Sequence, residues 1–183
     1  WQTPSSIPPT SKRAEKKYLI AAKGFEYLYT HLPPVSLVVL AANKKDKQGH
    51  SNSTPKNKEA KRLNLFRRKI YSTASLQFQV TNHQALLGQY NFNLWDSLHK
   101  FKDSMLQEVA QDFGALVEEG TAATQCSLQM AWDVADSAAR VVTSVVVMRL
   151  SSWLQIAGLS QEMQSSIQDL PFDGLGLFAN KWM

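Results

Sequence analysis

Thirty-seven consecutive residues, Thr121 to Ala157 (TAATQCSLQMAWDVADSAARVVTSVVVMRLSSWLQIA), carry only four charges, Asp133, Asp136, Arg140 and Arg149. Leu128, Ala131, Ala135, Ala138, Val142 and Val145 recur at alternating spacings of three and four, the repeat of a helix seam facing another helix. A second row, Val134, Val141 and Met148, runs beside it. A surface helix of a monomer normally shows one apolar stripe and one solvated side, so two rows imply two neighbours. At 1.5 Å per residue the stretch predicts a rod of roughly 56 Å, against a radius of gyration near ~16 Å for a compact domain of this size. The expectation is self-association, probed at Leu128, Ala131, Trp132, Ala135, Ala138, Val142, Val145 and Met148. Asp136 and Arg140 form an i,i+4 pair of the favoured polarity.

The same stretch is too often interrupted to cross a bilayer. Arg140 and Arg149 leave eight uncharged residues between them, where a span needs about 20. The polar, proline-rich start, Trp1 to Thr10, has no apolar core of the secretory kind and reads as a linker from something upstream.

Hydrophobic residues at 44% and charged residues at 19% suit one domain with a real core. The lone cysteine, Cys126, reads as a small buried thiol of a reducing compartment. Charge is divided: up to Lys69 there are fifteen Lys and Arg against four acids, and from Ile70 onward five against eleven. A basic front on an acidic rear suggests a nucleic-acid-facing arm or a nuclear import signal ahead of a packing module, or a solvated basic face. Lys56, Lys58, Lys61, Arg62, Arg67, Arg68 and Lys69 surround Leu63 and Phe66, so one face can bury while the other meets phosphate or an import receptor.

The chain divides into a basic, mostly irregular segment 1–57 with a short apolar run at Leu37 to Leu40, a helical oligomerisation domain 58–174, and a tail 175–183. Residues 43–58 read as a flexible basic loop. Thr54-Pro55 reads as a helix start. Leu76, Phe78 and Val80 alternate with glutamines as a strand does, yet their helical flanks favour helix. Leu87, Tyr90, Leu94, Leu98, Phe101 and Met105 form a helical stripe. Asp103 or Ser104 is the expected cap of the next helix, and Gly120 either breaks it or lies within it. Gly158 closes the long helix, and Ser160 opens a short one to about Asp169. The fold class is all-α, long antiparallel helices in a coiled-coil-like bundle, with a poorly ordered basic amino-terminal segment. Trp95, Trp132 and Trp153 read as core or interface residues.

Catalytic signatures do not emerge. His31, His50, His83 and His99 have no metal-ligand spacing, and no nucleophile elbow or phosphate-binding glycine loop occurs. The reading is a non-enzymatic protein with no catalytic residue, metal or cofactor.

Several strings occur in an order that resembles a known family: SKRAEKKY, EYLYTHLPPVSLVVLAANKKDKQG, STPKNKEAKRLNLFRRKIYSTASLQ, NHQALLGQYNFNLWDSL, FGALVEEG, and DVADSAARVVTSVVVMRLSSWLQIAGL followed by QDLPFDGLGLFA. From Ser11 to about Ala179 they resemble the carboxy-terminal domain of the alpha isoform of lamina-associated polypeptide 2 and gag-like proteins of DIRS-type retrotransposons. The resemblance implies a non-enzymatic nuclear, nucleoplasmic scaffold. It would dimerise through long antiparallel helices and bind A-type lamin, with links to chromatin and the retinoblastoma protein. Its gag-like branch implies instead a self-assembling protein that holds nucleic acid non-specifically. Two departures stand out: no LEM-type module precedes the domain, and NKWM, which reads as a frameshift or fragment boundary, stands where the family pattern continues with helical sequence. The family's lamin contact lies toward that end.

Overall fold

The computed structural model describes residues 10–19, 23–24, 26–28, 30–33, 38, 58–170 and 176–177. Among them every regular element is helical: α1 (Lys12–Tyr18), a 3₁₀ turn (Glu26–Leu28), α2 (Lys58–Leu98), a second 3₁₀ turn (His99–Ser104), α3 (Gln107–Ala157) and α4 (Gln161–Gln168). The all-α class is therefore as expected, and residues 76–80 lie inside α2 despite their alternation. The Thr54-Pro55 start, Lys56 and His50 lie outside the described residues, as does the Leu37 to Leu40 run apart from Val38, which is buried.

Helix α3 shows its seam as a pattern of burial. Gly114, Val117, Thr124, Ala131, Ala138, Val145 and Arg149 are buried, with Thr121, Leu128, Ala135 and Val142 half-buried between them. The steps alternate three and four without a break from 114 to 149. Only the portion from Leu128 onward is apolar enough to be seen in the sequence. Upstream the same positions hold glycine and threonine, and the threonines satisfy their hydroxyls on their own helix: Thr121 donates to the Val117 carbonyl and Thr124 to the Gly120 carbonyl, each at 2.8 Å. Helix α2 repeats the device with buried Asn64, Tyr71, Ala74, Thr81 and Gly88, Thr81 donating to the Gln77 carbonyl at 2.8 Å.

The chain forms two compact units, residues 77–138 and residues 1–76 with 139–183. The first is a helical hairpin. Its glycines show the register: a β-carbon at Gly88 would stand 2.8 Å from Leu128, one at Gly120 2.5 Å from the Trp95 indole, and one at Gly114 2.8 Å from Lys102. Numbers rise on α2 as they fall on α3, so the pair is antiparallel, with large side chains of one helix seated on backbone of the other. Gly120 thus lies within α3, and its missing side chain is the seat of Trp95. The turn between the helices corrects one expectation. Asp103 and Ser104 belong to the 3₁₀ segment, and the first α-helical carbonyl acceptor is Leu106, which receives Val109 N–H at 2.9 Å and Ala110 N–H at 3.0 Å.

The second unit carries the main apolar cluster. Leu32, Val38, Trp153, Leu154, Ala157 and Leu177 are buried together, with Tyr27, Val146, Leu150, Ile156, Leu159 and Ile167 against them. Leu154 is fully enclosed, and each large side chain buried this way contributes ~2 kcal/mol. Leu32 and Leu177 come from the segments 1–57 and 175–183, and Leu177 N–H donates to the Pro33 carbonyl at 3.0 Å. Helix α3 ends where Gly158 adopts φ +66°. The Ser160 hydroxyl then caps α4 by accepting from Met163 N–H, and Asp169 closes it.

Two of the helical glycines, Gly114 and Gly120, should respond oppositely to alanine. Gly114→Ala meets only the flexible end of Lys102 and should raise stability by up to ~1 kcal/mol through helix propensity. Gly120→Ala meets a ring and should cost about 1–3 kcal/mol. Urea unfolding midpoints of the two variants check this.

Candidate functional site

Two surfaces carry chemistry. One is apolar. The first row on α3 is enclosed within the chain, since Ala131, Ala138 and Val145 are each 1% exposed. The second row is open: Val134, Val141 and Met148 are exposed, and Trp132 is exposed to 70%. In the hairpin unit Leu86, Leu87, Tyr90, Leu94, Leu116 and Met130 are exposed as well. Of the tryptophans, Trp153 is in the core, Trp95 is half-buried on Gly120, and Trp132 faces outward. Cys126 is exposed rather than buried, because it lies midway between the seam positions Thr124 and Leu128 and so points away from the seam.

The other surface is cationic and lies in the unit of residues 1–76 and 139–183. Lys58, Lys61, Arg62, Leu65, Arg68, Lys69 and Ser72 recur at the three and four spacing that places them along one face of α2. Lys58, Lys61, Arg62 and Arg68 are exposed, while Arg67 and Lys69 are half-buried. Arg62 stacks over the Phe66 ring at 5.4 Å. Where the face reaches Ser72 it borders a cavity of about 330 Å³ lined by Thr10, Glu15, His31, Leu65, Arg68, Lys69, Ser72 and Thr73. A second cavity of about 230 Å³ shares Glu15, His31 and Ser72 and adds Leu19, Leu28 and Tyr71.

Among the described residues, Arg149, Tyr71 and His31 lie close to these walls. Arg149 is 3% exposed. Its Nη2 donates to the Leu32 carbonyl at 3.0 Å, while Nε and Nη1 have no hydrogen-bond partner. Burial lowers its pKa, and the neighbouring charges of Arg68 and Arg67 push the same way. Tyr71 is buried, donates to the Tyr27 carbonyl, and is pushed up to about 12 chiefly by burial. His31 meets the Tyr71 ring edge-on at 5.7 Å, and its Nδ1 has no partner. Burial first, then Arg68 and Arg149, hold His31 down to about 4. Sequence reading placed Arg67, Arg68 and Lys69 on a binding face but gave His31, Tyr71 and Arg149 no such role. Arg149 falls on a seam position of an otherwise apolar helix, and that misplaced charge was the available signal.

Among the described residues no group of three or more His, Cys, Asp and Glu could hold a metal ion, and no helix is long and apolar enough to cross a membrane. No family model, curated protein or solved structure matches the chain.

Two outcomes follow. His31 binds a proton near pH 6.5 in the unfolded chain and near 4 in the folded one, so its contribution is full above pH 6.5 and is lost as pH falls through 4. Melting temperature should therefore drop across that window, and His31→Gln should flatten the drop. Ala138→Asp places an unpaired charge in the closed seam, where Ala138 is buried, and should cost about 3 kcal/mol or more, read as a lowered urea midpoint.

Proposed function

We propose that this chain is a non-enzymatic helical scaffold that self-associates through the outward apolar face of its hairpin unit. The observation that carries this reading is the exposure of Leu87, Tyr90, Leu94 and Trp132 on helices whose inner seam is already filled. Large apolar groups left clustered in water mark an association surface. A second copy is the occupant argued for, because the sequence of α3 provides two apolar rows and the chain supplies a helix for one of them. The family resemblance extends the reading to a nuclear setting, with A-type lamin, chromatin and the retinoblastoma protein as partners.

The exposed cations Lys58, Lys61, Arg62 and Arg68 favour a second reading, a gag-like assembly protein that holds nucleic acid along α2. Binding of that kind proceeds by counterion release and weakens steeply with salt.

Light scattering of the purified chain separates these. The scaffold reading expects a dimer that persists in high salt and ignores added RNA. Trp132→Glu with Leu87→Glu should yield a monomer whose melting temperature is nearly unchanged, since both sites are exposed. It also expects an A-type lamin tail to be retained by the wild-type chain. A wild-type monomer at high concentration overturns the scaffold reading. Growth on RNA that salt reverses, reduced by Lys61→Glu and Arg62→Glu, assigns the gag-like one.

A further inference from the structure

The boundary between the two compact units is also a boundary in charge. Counted over every residue of the sequence, the unit of residues 1–76 and 139–183 holds eighteen Lys and Arg against seven acids, and the hairpin 77–138 holds two against eight. If every acid of the first unit neutralised a cation of its own unit, eleven cations would remain, and the same pairing leaves the hairpin six acids in excess. Much of the cationic excess is on the surface. Lys12, Arg13, Lys16 and Lys17 of α1 are exposed, as are Lys58, Lys61, Arg62 and Arg68 of α2. The two helices are neighbours, since Glu15 of α1 lines one cavity with Arg68, Ser72 and Thr73 of α2. On the hairpin, Asp96, Asp103, Glu108, Asp112, Glu118 and Glu119 are exposed at its turn end, with Lys100 and Lys102 among them. Leu87, Tyr90 and Trp132 of the apolar face lie toward the other end of the hairpin, so one surface can be occupied without displacing the other.

We propose that the cationic face of α1 and α2 docks the acidic turn end of the hairpin of a second copy. Nucleic acid would take up the cations alone, whereas a second copy accounts for both excesses with one contact. The contact joins unlike surfaces and each copy offers one of each, so copies add to one another in a ring or an open chain. Screening sets its range. At about 0.1 M salt, with a screening length of ~10 Å, facing surfaces attract while the more distant like charge of a chain of net charge +5 is hidden. At about 1 M salt the length falls to ~3 Å and the contact is lost. The proposal does not rest on the apolar dimer, which is the species that high salt leaves.

The test is light scattering of the nuclease-treated full chain against protein concentration, at about 0.1 M and about 1 M sodium chloride. The expected result is a mass that rises with concentration at the lower salt and returns at the higher salt to a constant species, monomer or dimer. Lys16→Glu, Lys17→Glu, Lys61→Glu and Arg62→Glu together, or Asp112→Lys, Glu118→Lys and Glu119→Lys together, weaken the association about tenfold or more. An equimolar mixture of the two variants regains it, because one supplies an intact acidic hairpin and the other an intact cationic face. All seven positions are exposed, so the melting temperature stays near that of the wild type; where a reversal lowers it, glutamine at the same sites takes its place. A mass independent of salt, growth that survives in either variant, a mixture that stays as its components, or growth that needs added RNA overturns the proposal. A monomer at high salt counts against the apolar dimer instead and leaves this contact standing.

Discussion

The unbroken three and four spacing of buried positions along α3, from Gly114 to Arg149, is the constraint on which the other features rest. In the hairpin unit it holds an antiparallel partner so closely that Leu128 and Trp95 occupy the space where glycine lacks a side chain. Close approach of this kind comes from small residues rather than from large apolar ones, because only glycine, alanine and threonine let one helix seat whole side chains against the backbone of the other. The energy then resides in dense contact, which is also why a ring placed on glycine tolerates no added methyl.

Once the inner seam is filled, the remaining apolar residues of α3 must face water or another molecule. Val134, Val141 and Met148 stand one position before seam residues Ala135, Val142 and Arg149, so they flank the seam instead of entering it. Their exposure, with that of Trp132, is the observation that supports the proposal of self-association. A helix built only to complete its own chain would carry polar residues there. The cationic face of α2 is separate in kind. It runs from solvent-exposed lysines to the cavity bordered by Arg68, Lys69 and Ser72.

Much of this was legible beforehand, for reasons that differ by element. The carboxyl half of α3, its end at Gly158 and the Ser160 cap were readable because leucine and valine repeats, a left-handed glycine and a hydroxyl cap each have one physical meaning at that spacing. The amino half of the seam was not readable, since Gly114, Thr121 and Thr124 send no apolar signal and become seam residues only when a partner arrives. The cap at Asp103 or Ser104 failed because a 3₁₀ turn took those residues first. Cys126 was misplaced by averaging over cysteines in general; its position between two seam residues fixed its direction. At the cationic cavity, Arg67, Arg68 and Lys69 were visible as a run, whereas His31 and Arg149 come to that region from 36 residues before Arg67 and 80 residues after Lys69, separations that pattern reading does not span.

The central claim is that α3 pairs with a helix of its own chain and leaves its outer rows for a second molecule. Spin labels on the native Cys126 and on an introduced cysteine at Asn91→Cys measure this directly, because both positions are exposed in the hairpin unit. The account requires a short distance, set by a helix spacing of ~8–10 Å plus the label arms, that persists when labelled chains are diluted into an excess of unlabelled protein. A dipolar signal that disappears on dilution would mean that the seam is closed between copies, and would contradict it.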